Sequence, residues 1–385
     1  MRKKVLLVSD VFYPYPGGVS EHVHQLAIHL RKLGWESYIL TANHKGGVDF
    51  KDPPYVFRVG FPVKILFNGS IAPVTISLRI NSYVKRLMNR MQFDVVHIHG
   101  QVAPVLPMVS LKYSTGYNFI TFHAAHKKNF LYKLFKPYIR DYFNKLHGRI
   151  AVSEAAIKPI LEIFPDIEYR IIPNGVDLQR FRPDLQPLPH LQGYRNILFV
   201  GRPEPRKGLK YAILAMPHIL REIPDARLVV VGDGPLLGWY KNMVPDSIKD
   251  RVMFEGRVSS QVLPRYYRTA DVFISPATGS ESFGLVLLEA MATGTPVVAA
   301  RNEGYSLVIR DGENGLLCNV EDEVDLARKV VRVLKDEDLR RRLVEGGLRT
   351  ARAHGWDRIA SQVARYYVDV MEREGKHEGR GIRTV

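Results

Sequence analysis

The stretch ILFVGRPEPRKGLKYAILAMPHILREI, residues 197–223, decides the fold because it predicts a strand, a turn and a helix in direct succession. Residues 197–200 form a short apolar run, which is typical of a strand buried on both faces of a parallel sheet. Residues 209–223 place apolar side chains at helical spacing. Since ligands of open parallel sheets bind at the carboxyl ends of the strands, the turn at 201–208 is predicted to face a ligand.

Similar apolar runs alternate with amphipathic segments along the chain. They form two series, at 5–9, 38–41, 95–99, 119–122 and 149–152, and then at 197–200, 228–231, 252–254, 272–275 and 296–300. This alternation predicts an α/β fold with two Rossmann-like, doubly wound parallel-sheet domains facing a cleft. We expect the domains at 1–180 and 181–355, a helix at 356–371 that packs back on the first domain, and a disordered tail at 372–385.

Composition excludes several classes of protein. The 385 residues suffice for two domains, and 46% hydrophobic with 24% charged residues is a globular composition. A single cysteine, Cys318, excludes an intramolecular disulfide and a cysteine-based metal cluster. Because no apolar run has the length of a signal-peptide core or a membrane span, we expect a cytoplasmic protein.

The formal net charge of +16 is concentrated in the first half of the chain. Residues 1–190 hold 25 Lys and Arg against 13 Asp and Glu, a net +12, whereas residues 191–385 hold 30 against 26, a net +4. Such asymmetry indicates an anionic partner, either a phospholipid surface or nucleic acid, unless the charge is only solvated.

Two basic amphipathic segments favour the phospholipid, so no nucleic acid is expected as a partner. Within residues 126–149, apolar side chains are interleaved with Lys127, Lys128, Lys133 and Lys136. Residues 79–91 are similar and carry Arg79, Lys85, Arg86 and Arg90. Helices of this kind lie in anionic lipid interfaces, which predicts peripheral association with the inner membrane face. The alternative is that each apolar face packs on its domain core.

Two glycine-containing turns follow predicted strands. Gly17 and Gly18 open the first helix, where backbone N–H groups can approach a phosphate. The absence of a GxGxxG motif argues against a dinucleotide-dependent dehydrogenase. In the second turn, Arg202 and Lys207 lie where a diphosphate would bind, and without a metal these cations must carry the charge of the leaving group. The alternative is two surface cations on a turn.

Two carboxylates, Glu281 and Glu289, flank a predicted helix start near Gly284. The free N–H groups of that helix point at the same crevice. Glu289, about a turn and a half into the helix, can accept hydrogen bonds from ribose hydroxyls. The alternative is a helix-capping acid and a solvated glutamate.

His123 ends a predicted strand at the ligand edge of the first domain, where a neutral imidazole could hydrogen-bond a sugar hydroxyl. His97 and His99 end the preceding strand. The chain has 13 histidines, so core or surface roles stay open for all three. No HxxxH or HExxH spacing accompanies them, and no zinc site is predicted.

These motifs together resemble the family 4 retaining glycosyltransferases, which have the two-Rossmann-domain (GT-B) fold. NGVD at 174–177 and FRP at 181–183 are similar to the domain-crossing segment of that family. Within the family, the chain looks most like the phosphatidylinositol mannosyltransferases, through the stretches at 68–70, 93–99, 148–153 and 204–208. The resemblance covers roughly residues 4–370.

The resemblance implies retaining transfer of a hexose, mannose from GDP-mannose, to a phospholipid headgroup such as phosphatidylinositol, without metal or cofactor. The first domain would bind the acceptor and the second the nucleotide sugar. The implied donor-binding residues are Gly17, Gly18, Arg202, Lys207, Val258, Glu281, Phe283, Gly284, Leu285 and Glu289. The implied catalytic residues are His123, Arg202, Lys207 and Glu281, and the implied acceptor-binding residues are Ser20, Asn68 and His123.

Two positions depart from the inositol enzymes. Ser20 stands in place of a glutamine, and Pro73 stands in place of an arginine expected to hold the acceptor phosphate. Proline can bind phosphate neither through its side chain nor through an N–H group. The acceptor identity therefore stays open, with an inositol phosphate, a disaccharide or a glucan as soluble alternatives. A sugar-nucleotide epimerase and a non-enzymatic nucleic-acid-binding or regulatory protein are further alternatives.

Overall fold

A computed structural model describes residues 2–15, 17–44, 50–67, 70–100, 105–123, 136–279 and 281–381. The chain divides into two compact units. Unit 1 comprises residues 1–174 and 356–385, and unit 2 comprises residues 175–355. Each unit contains a parallel sheet with helices, which confirms the predicted fold class of two Rossmann-like α/β domains.

Unit 1 contains a parallel sheet and a separate antiparallel hairpin. Its described strands are β1 (Lys4–Val8), β2 (Glu36–Thr41), β3 (Val56–Arg58), β4 (Phe61–Phe67), β5 (Ser70–Ile76), β6 (Val95–His99), β7 (Tyr117–Phe122), β8 (Gly148–Ala151) and β9 (Arg170–Ile171). The parallel sheet has the order β3-β2-β1-β6-β7-β8-β9, and β4 pairs with β5. The buried strands β1 and β6, which are rich in Val, Leu and Ile, lie at its centre.

The helices of unit 1 cover this sheet. Within the described residues they are α1 (Gly18–Lys32), α2 (Ile80–Met91), α3 (Val105–Tyr113), α4 (Lys136–Asn144), α5 (Glu154–Leu161) and α12 (Trp356–Gly381). Helix α12 returns to unit 1, where Trp356, Ile359 and Tyr367 share one hydrophobic cluster with Leu26 and Phe119.

Helix α12 is longer than the sequence interpretation expected. The prediction ended it at residue 371 and made residues 372–385 a disordered tail, whereas the helix continues to Gly381. Glu372, Arg373 and Glu374 have high helix propensity, which favours this continuation.

Unit 2 contains one parallel sheet of the order β12-β11-β10-β13-β14-β15. Its strands are β10 (Arg195–Val200), β11 (Ala226–Val231), β12 (Val252–Gly256), β13 (Val272–Ser275), β14 (Val297–Ala300) and β15 (Leu316–Cys318). Its helices are α6 (Leu209–Glu222), α7 (Leu237–Met243), α8 (Leu263–Thr269), α9 (Leu285–Ala292), α10 (Glu323–Lys335) and α11 (Glu337–Ala353). Asp322 and Asp336 cap α10 and α11, because each carboxylate accepts a backbone N–H of the first turn.

The division between the units falls at Gly175, whereas the sequence interpretation placed the boundary at residue 180. Residues 175–180 belong to unit 2 because Val176 forms a bridge with Gly355. In both sheets the strand order reverses beside the first strand, between β1 and β6 and between β10 and β13. Ligands of open α/β sheets bind at the carboxyl edge near such a reversal.

Candidate active site

The turn between β10 and α6 is held against the loop that follows β13. Gly208 has a φ of 72°, and a side chain at this position would meet the Pro276 carbonyl oxygen at 1.9 Å, so glycine is required. The Thr278 N–H donates to the Arg206 carbonyl oxygen at 2.9 Å. Because β10 and β13 are neighbours in the sheet, both loops lie together at its carboxyl edge.

Glu281 lies in the loop after β13 and pairs with two cations. Its Oε1 lies 2.8 Å from Nη1 of Arg206 and 2.7 Å from Nζ of Lys207. The Glu281 side chain is only 10% exposed, so these ion pairs are screened less by salt than surface pairs are. The structure therefore brings together two predicted site residues, Lys207 and Glu281. The sequence interpretation missed Arg206, although its position directly before Lys207 was an available signal.

Further ion pairs extend from this cluster to Arg202. The Glu204 carboxylate lies 3.1 Å from Nη1 of Arg202 and 3.0 Å from Nε of Arg206. The three cations therefore exceed the two carboxylates by one formal charge. Arg202, whose side chain is 57% exposed, can still bind an anionic group such as a diphosphate through two hydrogen bonds.

Helix α9 begins directly after Gly284, which has a φ of 98°. A side chain at this position would collide with the ring of Tyr305 at 2.8 Å. Tyr305 is buried, and its Oη lies 2.7 Å from Oγ of Ser275, which fixes the loop beneath the helix start. The predicted donor-binding residue Phe283 is also buried. The backbone N–H groups of Phe283, Gly284 and Leu285 are available to a ligand at this helix start.

Glu289 projects from α9 and is oriented by a tyrosine of α8. Its Oε2 accepts a hydrogen bond from the Tyr267 hydroxyl at 2.8 Å. Burial, together with the Glu289 carboxylate, raises the pKa of Tyr267 well above its ordinary value, so Tyr267 remains a proton donor to Glu289. The sequence interpretation missed Tyr267, since no local motif links the two positions. Val258, another predicted donor-binding residue, lies half-buried after the edge strand β12.

Three histidines lie together at the carboxyl edge of the unit 1 sheet. His99 ends β6, His123 follows β7, and His22 comes from α1. His99 Nδ1 lies 3.2 Å from His123 Nε2, and the ring centroids of His22 and His123 are 4.5 Å apart. The structure thus places the predicted His123 beside His99 and adds His22. Sequence reasoning missed His22 because only the fold brings α1 to this edge.

Burial keeps these histidines neutral. It lowers the pKa of His22 to about 4. It also lowers the pKa values of His99 and His123 well below the ordinary value, with smaller contributions from neighbouring histidines. At neutral pH, His123 can therefore exchange hydrogen bonds with a sugar hydroxyl.

Asp10 is a further candidate that the sequence interpretation did not single out. It follows β1 at the same edge and is buried. Its Oδ1 accepts hydrogen bonds from the Thr75 N–H at 3.0 Å and from the Thr75 hydroxyl at 2.5 Å. Burial nevertheless raises the pKa of Asp10 to about 6, so this carboxyl group takes up a proton at a higher pH than an ordinary aspartate does.

The structure describes some, but not all, of the remaining predicted residues of unit 1. A side chain at Gly17, which precedes the start of α1 at Gly18, would meet nothing within 4 Å among the described atoms. Ser20 is buried, and its Oγ has no hydrogen-bond partner among the described residues. Lys136 is exposed at the start of α4. Four more predicted residues lie outside the part of the chain that the structure describes, namely Asn68, Lys127, Lys128 and Lys133.

Two doubly wound parallel sheets, one with cations and carboxylates where its strand order reverses, match the two-Rossmann-domain fold of the GT-B glycosyltransferases. Two family models match the chain, Glycosyltransferase Family 4 over residues 16–180 and Glycosyl transferases group 1 over residues 182–350. The chain is 34% identical over 378 residues to a phosphatidyl-myo-inositol mannosyltransferase of Mycobacterium leprae, covering 97% of this chain and 98% of that protein. The chain belongs to family 4 of the glycosyltransferases.

Two other comparisons extend this result. The chain is 27% identical over 353 residues to an alpha-monoglucosyldiacylglycerol synthase of Streptococcus pneumoniae, covering 86% of this chain and 78% of that protein. The solved structure of Anabaena HepE with UDP-glucose has the same fold, with a TM-score of 0.72, 17% identity, and coverage of 95% and 99% of the two chains.

The family membership confirms that the protein is an enzyme, a glycosyltransferase. Among the helices of the described residues, none is both long enough and apolar enough to cross a bilayer.

Proposed function

We propose that the protein transfers mannose from GDP-mannose to the inositol headgroup of phosphatidylinositol with retention of configuration. The observation that carries this proposal is the 34% identity, over 97% of the chain, to a mannosyltransferase named for that acceptor. The charged carboxyl edge of unit 2 supports it, because its cations suit a nucleotide diphosphate.

In the proposed donor complex, Arg202 and Lys207 hold the diphosphate. Lys207 can turn from Glu281 to a phosphate oxygen, because Arg206 keeps the Glu281 carboxylate paired at 2.8 Å. Glu281 then accepts hydrogen bonds from the hydroxyls of the transferred hexose. Glu289, oriented by Tyr267, accepts those of the ribose.

In the proposed reaction, the bond between the anomeric carbon and the β-phosphate oxygen breaks, and an inositol hydroxyl oxygen forms its bond on the same face of the sugar. The departing phosphate takes the proton of that hydroxyl. The cations at 202 and 207 stabilise the negative charge that develops on the leaving group, which is the main catalytic demand. The neutral His123 hydrogen-bonds the hexose and holds it in position.

We further propose that unit 1 meets the lipid surface electrostatically through α2. The apolar residues of α2, among them Val84 and Leu87, are buried in the unit 1 core. For this helix the alternative of core packing therefore holds, and lipid insertion of that face is excluded. Lys85, Arg86 and Arg90 remain exposed, and each basic residue near anionic lipid contributes about 1 kcal/mol.

A transfer assay tests the proposal. Full-length protein is incubated with GDP-mannose, UDP-glucose or UDP-N-acetylglucosamine, together with phosphatidylinositol liposomes, phosphatidylcholine liposomes or free inositol phosphate. We expect mannosylated lipid only with GDP-mannose and phosphatidylinositol. Transfer to free inositol phosphate at an equal rate would contradict the lipid acceptor, and transfer from a UDP-sugar alone would contradict the donor.

A matched pair of lysine variants tests the donor site. Lys207→Ala is expected to lower kcat by about 10²–10³, because a preorganised charge contact to the leaving group is lost. Lys210→Ala removes an exposed lysine of α6 in the same stretch and should leave kcat unchanged. Equal activity of the two variants would overturn the role of Lys207.

A further inference from the structure

The three histidines at the carboxyl edge of unit 1 have the geometry of a metal site. We propose that His22, His99 and His123 bind one divalent transition-metal ion of the Zn²⁺ class. Each histidine offers one ring nitrogen, and the three nitrogens all lie within 4.8 Å of one another. Neutral imidazole nitrogens are preferred ligands of Zn²⁺, Cu²⁺ and Ni²⁺.

One buried ring nitrogen of His22 carries a lone pair that has no partner among the described residues. His22 Nδ1 lies 2.9 Å from the side-chain oxygen of Asn174, so Nδ1 carries the proton and Nε2 carries the lone pair. Among the described residues, this His22 Nε2 is buried without a hydrogen-bond partner. Buried polar atoms are rarely left unpaired, because desolvation costs free energy. A bound cation would satisfy the lone pair of His22.

The distance between the other two rings fits ligands of a common ion. His99 Nδ1 and His123 Nε2 are 3.2 Å apart. Two imidazole nitrogens on a tetrahedral Zn²⁺ with bonds of about 2.0–2.1 Å lie about 3.3–3.4 Å apart. An ion could therefore replace the shared proton between these two rings with little movement of either.

The surroundings of the cluster also match a metal site. The Asn174 oxygen orients His22 through the ring nitrogen that does not face the cluster, as the hydrogen-bond partners of metal-bound histidines do. His123 is partly exposed whereas His22 and His99 are buried, so a fourth position faces the ligand edge. Three histidines with one open position form a known zinc arrangement.

His97 provides an internal contrast. Its ring centroid lies only 4.1 Å from that of His99. However, its Nε2 bonds the Thr121 hydroxyl at 2.7 Å, and its Nδ1 bonds the hydroxyl of Tyr367. Both nitrogens of His97 are thus occupied by hydrogen bonds, and it is not a ligand.

Metal binding goes beyond the proposed transfer reaction, which uses no metal. Because the proposed reaction assigns His123 a hydrogen bond to the hexose, an ion bound by His123 is expected to inhibit transfer. Inhibition rests on the proposed function, whereas binding does not. The decisive measurement is therefore made without a sugar donor, so that failure of one proposal is distinguishable from failure of the other.

Cobalt is the probe. Chelator-treated, full-length protein is titrated with Co²⁺ and followed by visible absorption, and Zn²⁺ is then added in competition. We expect the bands of tetrahedral Co²⁺ to saturate at one ion per chain and to disappear on addition of one equivalent of Zn²⁺. His22→Gln should abolish the bands, and the control His97→Gln should retain them. Asn174→Ala should weaken binding about 10- to 100-fold, because it frees the ring of His22.

The outcomes decide the proposal. Absence of saturable Co²⁺ binding to the wild-type protein overturns it, and so does binding that His22→Gln leaves unchanged. If circular dichroism shows that His22→Gln does not fold, Asn174→Ala decides in its place. A weakened affinity then supports the site, and an unchanged affinity overturns it.

Discussion

The two units share a sheet topology but differ in the chemistry of their carboxyl edges. In unit 2, Glu281 pairs with Arg206 and Lys207 in a charged cluster. In unit 1, the corresponding edge holds buried, neutral histidines, among them His22 and His99. The comparison teaches that strand order decides where a ligand binds, whereas the loop residues decide which charge that ligand carries.

Burial explains the difference. The loops of unit 2 leave Arg202 largely exposed, so cations persist there and can meet a diphosphate. At the unit 1 edge, desolvation disfavours charge and drives even Asp10 towards its neutral form. Neutral histidines at such an edge can form hydrogen bonds with the hydroxyl groups of a sugar, or can ligate a metal ion through a ring nitrogen.

Removing the negative charge of Glu281 in unit 2 should nearly abolish the transfer reaction. Glu281→Gln is expected to lower kcat for transfer by about 10²–10³, because Arg206 and Lys207 lose their shared anionic partner and the hexose loses a charged acceptor. Initial rates at saturating donor measure the change. Glu345→Gln, at an exposed position of α11, is the control. Rates within twofold of wild type for Glu281→Gln would contradict the role assigned to this edge.

Removing the buried carboxylate of Asp10 in unit 1 should instead stabilise the fold, and the size of this effect should depend on pH. Burial raises the pKa of Asp10 from 3.8 to about 6. The folded state therefore binds more protons than the unfolded state between about pH 4 and 6, and stability is lost as pH rises through this window. At pH 8, Asp10→Asn should raise the free energy of unfolding by up to about 3 kcal/mol, and at pH 4 it should have little effect.

Urea unfolding at pH 4 and pH 8 measures this effect. The exposed Asp166→Asn serves as the control and should change stability little at either pH. An Asp10→Asn effect of equal size at both pH values would show that the Asp10 carboxyl is not strained by burial.

Loosening Glu289 should weaken donor binding rather than stop the reaction. Tyr267→Phe removes the hydrogen bond that orients the carboxylate. We expect KM for the nucleotide sugar to rise about tenfold, the size of one hydrogen bond to a charged group, with a smaller change in kcat. Tyr266→Phe, which loses a bond of 2.9 Å to Glu255, is the matched control. Equal KM changes in both variants would argue against a specific role of Glu289.

The smallest effect concerns a neutral hydroxyl at the unit 1 edge. Ser20 Oγ is buried and has no hydrogen-bond partner in the described part of the chain. Ser20→Ala should therefore leave the free energy of unfolding unchanged or raise it by about 1 kcal/mol, while KM for the acceptor rises. Ser110→Ala, which loses a bond of 2.9 Å to the Leu106 carbonyl, should destabilise by a similar amount. Thermal unfolding of both variants tests the contrast.

Local patterns predicted much of unit 2. Apolar runs gave the order of strands and helices, and the rule for open sheets placed Lys207 and Glu281 at one edge. The partners of these residues were harder to find. Tyr267 reaches Glu289 from a different helix, and this contact depends on how α8 packs on α9 rather than on a sequence motif.

Unit 1 was predicted less completely, because its site depends on tertiary contacts. The histidine cluster joins α1 to the ends of β6 and β7, and no short spacing encodes that meeting. The hairpin of β4 and β5 also escaped prediction, since proline interrupts both strands and weakens the strand pattern. The expectation of no zinc site rested on spacing along the chain, and such spacing does not register histidines that only the fold brings together.

Helix α12 has a consequence for the order in which the protein is made. Tyr367 and Trp356 belong to the core of unit 1, yet the ribosome synthesises them only after the whole of unit 2. The nascent chain must therefore carry an unfinished first core while the second unit emerges and folds. A chaperone that shields the exposed surface of β1 and α1 during that interval would act on a state that the finished protein never shows.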